Sequence, residues 1–191
     1  FEPVVKTLQS AGWKVGYNLV AAPYDWRLAP DGLETKPGAM GAPPYFERLH
    51  QLVENMFENT GGLPVHLVTH SMGGPVGLAF LQRQTKAWKN KYIASLTSFS
   101  PPFGGSVDTI KSIISGNNLG VPAVSQDIFW PIQSSCASGV WLLPVTDDNF
   151  GWSENEIILA DKKRVFSAAN ISRALELRGL DQASSFVALG V

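Results

Sequence analysis

Apolar residues in the first hundred positions follow two periods, and these predict helices alternating with strands. Recurrence every three to four residues is typical of an amphipathic helix, and alternation of apolar with polar residues is typical of a half-buried strand. Strands alternating with helices favour a parallel sheet. The predicted elements are helix 3–11 closed by Gly12, strand 13–21, loop 28–44, helix 45–59, a strand ending before Ser71, a helix to about Lys86, and strand 91–100.

The segment around Ser71 has the pattern of a nucleophile elbow. A short β-branched run is followed by small-x-Ser-x-Gly, with Thr69, Ser71 and Gly73 at the defined positions, and then by helical spacing. In such a strand-turn-helix the serine hydroxyl is held exposed, and its neighbours must be small. Thr69 stands where glycine is commonest. The alternative is a structural turn that matches the motif by chance.

The elbow assigns distinct chemical roles to adjacent residues. Ser71 is the candidate nucleophile, since a serine needs exposure and a nearby base in order to attack an acyl carbon. The backbone N–H of Met72, at the start of the following helix, is a candidate oxyanion donor that the helix dipole strengthens. Thr69, His70 and Gly73 are expected to support the turn.

The proton acceptor that such a serine needs is not evident in the sequence. The three histidines, His50, His66 and His70, all precede Ser71, whereas in α/β-hydrolases the acid and then the histidine follow the nucleophile. We expect His50 to be solvated and His66 to be a core residue. Four aspartates follow the serine, and we assign none of them a role: Asp147, Asp148, Asp161 and Asp181.

The second half of the sequence has a weaker pattern. Apolar clusters between loop residues in 106–150 suit a lid or an acyl-chain groove, and an irregular part of the core is the alternative. Residues 154–160 predict a short strand, and 167–178 a helix closed by Gly179. We therefore divide the chain into a core at 1–105, a lid-like segment at 106–150, and a continuation of the core at 151–191.

Composition excludes some classes of function. The net charge of −1 provides no basic surface for nucleic acid or anionic membranes, so lipid contacts must be apolar. No apolar stretch reaches the length of a transmembrane helix. Cys136 is expected to be a semi-buried thiol, or to pair with a cysteine elsewhere. Asp25 and Arg27 are expected to form a structural ion pair, the alternative for Asp25 being a catalytic acid.

One further motif is an acceptor triplet for N-glycosylation at Asn170-Ile171-Ser172. Such triplets arise often by chance, and this one lies within the predicted helix 167–178. The sequence opens without methionine or a signal segment. We expect it to be a fragment, or one chain of a cleaved enzyme.

Several segments together resemble the lecithin:cholesterol acyltransferase family, which includes lysosomal phospholipase A2. They occur in the family's order over residues 13–144, and the resemblance fades beyond about Phe150. The segments are APYDWRL at 22–28, PVHLVTHSMG at 64–73, FLQRQ at 80–84, AWKNKYI at 87–93, PFGGS at 102–106 and SGNNLGVP at 115–122.

The resemblance implies an incomplete α/β-hydrolase with a mostly parallel sheet, flanking helices, and a lid around 106–143. It implies no cofactor and no metal. Ser71 would take an acyl group from a glycerophospholipid and pass it to a sterol, another lipid alcohol or water. Phe103 stands where the family usually has tryptophan. This replacement keeps an aromatic wall for the substrate. In the family the triad acid and histidine lie beyond the point at which this sequence ends.

The same resemblance implies partners and a compartment. The expected partners are a membrane or lipoprotein surface and a complementary polypeptide carrying the acid and histidine, and no nucleic acid. The expected location is secreted or lysosomal, with the endoplasmic reticulum as the alternative. Two other functions stay open: a neutral lipase or thioesterase of the same fold, and a catalytically silent lipid-binding component.

Overall fold

The structure is a computed structural model that describes residues 1–118, 120–146, 151–160, 163–177 and 179–180. The chain divides into two compact units. Unit 1 contains residues Phe1–Asp25 and Pro30–Phe99. Unit 2 contains Trp26–Ala29 and the described residues from Ser100 onward.

Unit 1 combines helices with a two-stranded parallel sheet. Strand β1 pairs with strand β2, and Leu67 lies opposite Leu96. The elements are α1 Glu2–Ser10, α2 Pro30–Thr35, a 3₁₀ turn Ala39–Gly41, α3 Tyr45–Asn59, β1 Val65–His70, α4 Gly73–Gln82, α5 Lys86–Tyr92 and β2 Ile93–Phe99.

The core of unit 1 lies on one side of this sheet. Helices α3 and α4 bury an apolar stripe that includes Phe46, Val53, Val76 and Phe80, the last fully inaccessible to solvent. Along β1 burial alternates, because successive side chains of a strand point to opposite faces. The face bearing Leu67 is half-buried, whereas the face bearing His66, Val68 and His70 is exposed.

Unit 2 has its own hydrophobic core. Ile110 and Ile113 of α6 pack with Phe166, Ile171 and Leu175, which belong to the last strand and helix. The elements of this unit are α6 Val107–Ser115, α7 Gln126–Gln133, α8 Ala137–Trp141, β3 Ile157–Ala160, β4 Val165–Ser167, a 3₁₀ turn Ala168–Asn170 and α9 Ile171–Glu176. Strands β3 and β4 are antiparallel.

Several predicted elements are confirmed. Helix α3 has the predicted bounds, α1 ends one residue before its prediction, and β1 and β2 are parallel. At Gly12, with φ 97°, the N–H groups of Gly12 and Trp13 donate to the carbonyls of Gln9 and Leu8, the hydrogen bonds of a glycine helix terminus. The fold is therefore of the α/β class.

The predicted strand at 13–21 is wrong. The N–H groups of Tyr17, Asn18 and Leu19 all point to the carbonyl oxygen of Lys14 at 3.1 Å, and the Asn18 side chain accepts the Lys14 N–H at 2.6 Å. Gly16, with φ 83°, completes the turn. These local hydrogen bonds satisfy the backbone groups that a strand would have paired with a neighbour.

Three other boundaries differ from the prediction. The predicted loop 28–44 contains helix α2, whose Leu33 is 1% exposed. The helix after the elbow ends at Gln82 instead of Lys86, and α5 begins separately, with the Thr85 hydroxyl accepting the Trp88 N–H. Strand β2 consequently begins at Ile93 instead of residue 91.

The described residues of 106–150, which exclude 119 and 147–150, are more regular than their sequence indicates. They form α6, α7 and α8, and α6 contributes Ile110 and Ile113 to the core of unit 2. Helix α7 has no buried residue. The expected helix 167–178 is shorter, since Ser167 ends β4 and α9 begins at Ile171, although Gly179 closes it with φ 71°. The sequence-based division at 105 and 150 stays a prediction.

Cys136 is buried at 6% exposure and donates to the Ile132 carbonyl at 3.0 Å, as expected of a semi-buried thiol. Among the described residues, no helix combines the length and apolarity that a membrane crossing requires.

Candidate functional site

Ser71 lies at a sharp turn between β1 and α4. Its φ is 51°, in the left-handed region that a non-glycine residue adopts at a cost of about 1–2 kcal/mol. The turn is held on both sides, because the Ser71 N–H donates to the Phe99 carbonyl of β2 and the Gly74 N–H donates to the Ser71 carbonyl, each at 2.9 Å. The side chain is exposed. Strand, strained turn and helix are thus arranged as in a nucleophile elbow.

Two polar groups bear on the chemistry of this turn, the Ser71 hydroxyl and the Met72 N–H. Within the part of the chain that the structure describes, neither the Ser71 hydroxyl nor the Met72 N–H has a protein hydrogen-bond partner. Met72 has helical φ and ψ and precedes the ten-residue helix α4. Its N–H therefore lies at the positive end of the helix dipole, where an anionic oxygen is favoured.

Thr69 fits at the position before the elbow because α4 offers glycines opposite it. A Cβ atom added at Gly77 would lie 3.4 Å from the Thr69 Cγ2, and one at Gly73 would lie 3.5 Å from the Thr69 Cβ. The Thr69 hydroxyl is satisfied across the sheet by the Ser98 hydroxyl at 2.8 Å. The Thr69 side chain thus fills space that is open because α4 has glycines opposite it. The closer of the two contacts is the one at Gly77.

His70 and His66 lie on the exposed face of the sheet. The His70 ring meets the Phe1 ring edge-on, with 6.0 Å between centroids. His66 is exposed, which contradicts the expected core position. Its ring is nevertheless hydrogen-bonded, with Nδ1 2.8 Å from the Ser95 hydroxyl. In the described structure neither imidazole is hydrogen-bonded to Ser71, so neither is placed as its base.

His50 is less solvated than expected, although its side chain is still 36% exposed. It is half-buried, and its ring stacks on Trp88 of α5 with centroids 4.7 Å apart. Its Nδ1 is 2.9 Å from the Gln84 side-chain oxygen, and its Nε2 is 3.2 Å from Glu54. The polar flank of α3 is covered because α5 crosses it, a contact that helical spacing does not reveal.

Tyr24 is a residue near the elbow that sequence reasoning left without a role. A Cβ atom added at Gly73 would lie 3.9 Å from the Tyr24 hydroxyl oxygen, and the Tyr24 ring packs on Tyr45 at 5.3 Å. Burial raises the pKa of Tyr24. Burial first and the nearby Tyr24 second raise the pKa of Tyr45 to about 12, so both phenols stay protonated at ordinary pH. The available signal was the segment APYDWRL at 22–28, which contains Tyr24.

The remaining candidate residues lie either in unit 2 or outside the described residues. Phe103 belongs to unit 2, where it is 46% exposed, and its role as an aromatic wall stays a prediction. Asp147, Asp148, Asp161 and Asp181 lie outside the described residues. Among the residues that are described, no group of three or more His, Cys, Asp or Glu side chains could hold a metal ion.

Comparison with known proteins relates this arrangement to a family. The family model described as lecithin:cholesterol acyltransferase matches residues 1–188, so the likeness extends past Phe150, further than the sequence segments indicated. The dog protein named lysosomal phospholipase A and acyltransferase is 39% identical over 159 residues, covering 83% of this chain and 36% of the relative. The human protein of that name is 38% identical, with coverages of 83% and 35%.

A second kind of relative is more distant. The chicken phosphatidylcholine-sterol acyltransferase is 30% identical over 177 residues, covering 88% of this chain and 40% of the relative. The chain thus spans about a third of the length of the curated relatives that it matches. With the family model matching nearly all of it, this chain belongs to the lecithin:cholesterol acyltransferase family.

Proposed function

We propose that this chain supplies the nucleophile of a lipid acyl hydrolase and acyltransferase. Ser71 attacks the ester carbonyl of a glycerophospholipid, and the Met72 N–H binds the oxyanion that develops. The observation that carries the proposal is the left-handed, exposed Ser71 between β1 and α4. Strain of this kind persists where the surrounding structure enforces it, and it concentrates at functional sites.

The reaction proceeds in two steps through an acyl-serine. In the first, a bond forms between the Ser71 oxygen and the acyl carbon, the bond to the lysophospholipid oxygen breaks, and a base moves the serine proton to that oxygen. In the second, the oxygen of a sterol, another lipid alcohol or water attacks the acyl carbon, the bond from that carbon to the Ser71 oxygen breaks, and the base moves the acceptor's proton to the Ser71 oxygen. A single hydrogen bond to an oxyanion contributes about 3–4 kcal/mol of transition-state stabilisation, and the Met72 N–H provides one such donor.

We propose that the base and acid lie outside these 191 residues, either in the rest of a longer chain or in a complementary polypeptide; the term complementary polypeptide covers both. Support comes from the sequence, in which no histidine follows Ser71, and from the Ser71 hydroxyl, which has no partner among the described residues. Further support comes from the exposed face of the β1–β2 sheet, where Val68 and Phe99 are 40% and 48% exposed. We propose that the complementary polypeptide covers this face and completes the hydrolase sheet.

The substrate reaches the protein from a membrane or lipoprotein surface. Helix α7 supports this, because Ile128 and Ile132, one turn apart, are 65% and 52% exposed. We propose that α7 and the neighbouring residues of 106–150 form the lid, and that Phe103 lines the acyl path. We propose a secreted or lysosomal location, the endoplasmic reticulum being the alternative, and the names of the dog and human relatives support the lysosomal one.

A fluorophosphonate probe tests the nucleophile and its missing partner together. We expect labelling of Ser71 when the complementary polypeptide is present, none for the Ser71→Ala variant, and none for the 191-residue chain by itself. Ser100→Ala is the matched control and should be labelled like the parent chain. Labelling of the isolated chain would contradict the need for a complementary polypeptide. Labelling of the assembled protein at another residue would contradict the role of Ser71.

A panel of lipid esters separates the proposed function from its alternatives. Release of fatty acid from glycerophospholipids, with transfer to an added sterol or lipid alcohol, is the expected result. Turnover of only triacylglycerols or thioesters would favour a neutral lipase or thioesterase. If Ser71→Ala leaves every measured property of the assembled protein unchanged, the chain is a silent lipid-binding component.

A further inference from the structure

The acceptor triplet Asn170-Ile171-Ser172 occupies a different structural position from the one its sequence indicates. Instead of lying inside a helix, Asn170 ends a 3₁₀ turn and immediately precedes α9. Its side chain is exposed, whereas the neighbouring Ile171 is fully buried in the core of unit 2. The triplet is the only Asn-X-Ser/Thr sequence among the 191 residues.

The hydrogen bonds of Asn170 leave its amide nitrogen available. The Asn170 Oδ1 accepts the backbone N–H of Ser167 at 2.7 Å, and the Ser167 side chain accepts the Asn170 backbone N–H in return. Because a backbone N–H can only donate, this contact fixes which side of the amide is oxygen. In the described parts of the chain, the Asn170 Nδ2 has no protein partner.

We propose that Asn170 carries an N-linked glycan. In the reaction a bond forms between the Asn170 Nδ2 and C1 of an oligosaccharide, and the bond from C1 to the diphosphate of a lipid-linked oligosaccharide donor breaks. The amide gives up one proton, and the lipid diphosphate leaves with the electron pair. The product retains the Oδ1 that accepts the Ser167 N–H, so the glycosylated chain can form the same capped start of α9.

This inference rests on the lumenal location in the proposed function, because the sugar donor and its transferase act in the secretory pathway. The hydroxyl of Ser172 is the second requirement of the motif, since the triplet needs serine or threonine two residues after the asparagine. Glycan is bulky and solvated, and an exposed residue beside a buried anchor can accommodate it without disturbing the core.

The test uses the chain expressed with a secretory signal in a eukaryotic host and recovered from the lumenal fraction or the medium. Treatment with peptide N-glycosidase should lower its mass by one oligosaccharide and convert Asn170 to aspartate, detected by peptide mass spectrometry in ¹⁸O water. Ser172→Ala should abolish the glycan while leaving the Asn170 side chain in place. Ser172→Thr should keep the glycan.

One further variant and one further measurement make the outcome decisive. Glu58→Asn completes a second acceptor triplet with Asn59 and Thr60 at the exposed end of α3, so it reports that the transferase reached the chain. Glycan at that site but none at Asn170 overturns the proposal, as does any recovered lumenal chain without a modified Asn170. Fluorophosphonate labelling of the assembled Ser172→Ala protein separates the two proposals, since loss of the glycan should not change labelling of Ser71.

Discussion

Two serines at the ends of neighbouring strands have the same unusual backbone conformation. Ser71 lies directly after β1 with φ 51°, and Ser100 lies directly after β2 with φ 47°. Among the described residues, Met40 is the one other non-glycine residue with positive φ. A left-handed serine is strained by about 1–2 kcal/mol, so both strand ends require support from their surroundings.

The two serines differ in the segment that comes next in the chain. Ser71 leads into α4, and the Met72 N–H donates to no protein acceptor in the described structure. Ser100 leads into Pro101 and Pro102, and the turn closes on itself when the Phe103 N–H donates to the Pro101 carbonyl at 3.0 Å. Backbone strain alone therefore does not identify a nucleophile. The proposed role of Ser71 rests instead on strain combined with an open N–H at the start of a helix.

The largest expected difference between the two serines is in activity. Ser71→Ala should lower the rate of phospholipid hydrolysis by the assembled enzyme on the order of 10⁴-fold or more, because removing a catalytic nucleophile leaves only binding and the oxyanion donor. Ser100→Ala should keep the rate within about threefold, an effect below 1 kcal/mol. The measurement is initial-rate hydrolysis of phospholipid vesicles. Equal losses in both variants would remove the functional distinction between the strand ends.

The second expected difference concerns how the turn after β2 is held. Gly105 has φ 88°, and a Cβ there would be forced against the Leu143 carbonyl oxygen, so Gly105→Ala should destabilise the protein by about 3 kcal/mol. Gly120 is the matched control. It has φ 79° but no atom within 4 Å of an added Cβ, and its alanine variant should lose only about 1 kcal/mol. Urea unfolding measures both, and equal losses would show that Leu143 does not restrain the turn.

Changes in the packing of α4 against β1, which supports the turn at Ser71, should have a smaller effect on the free energy of unfolding. A Cβ at Gly77 would lie 3.3 Å from Leu96 and 3.4 Å from Thr69, so Gly77→Ala should lose most of the about 1 kcal/mol that alanine ordinarily gains over glycine inside a helix. Thr69→Ser removes the methyl group and keeps the hydroxyl bonded to Ser98, and should restore part of the loss. Gly73→Ala should be neutral, because its Cβ would make only ordinary contacts. A double-mutant cycle measured by urea unfolding gives the coupling energy between Gly77→Ala and Thr69→Ser. Additive effects of the two substitutions would contradict a contact between the added Cβ and the Thr69 methyl group.

The smallest effect applies to both serines alike. Ser100→Gly and Ser71→Gly should each change the unfolding free energy by less than about 1 kcal/mol, because relief of the left-handed strain is opposed by the greater freedom of glycine in the unfolded chain. Ser100→Gly should keep activity, whereas Ser71→Gly should abolish it. Thermal unfolding with parallel activity assays checks this. A loss of several kcal/mol in Ser71→Gly would show that the hydroxyl stabilises the turn.

Local patterns predicted some elements well and others badly, for a physical reason. Helix α3 was predicted to the residue, because its hydrogen bonds join residues four apart and its apolar stripe repeats with the helix. The strand predicted at 13–21 has a turn in its place, because a strand needs a partner whereas Gly16 and Asn18 satisfy the backbone locally. Helix α6 was not predicted, since Ile110 and Ile113 are stabilised by residues of β4 and α9 some sixty positions away.

The sequence by itself determined the elbow at Ser71 and the family, because both depend on adjacent residues and on their order. The tertiary structure decided which side chains are covered. It placed Trp88 over His50, exposed His66, set Thr69 against Gly73 and Gly77, and brought the Tyr24 hydroxyl beside the elbow. These contacts join residues far apart in the chain, so they depend on how elements pack and not on the period of any one of them.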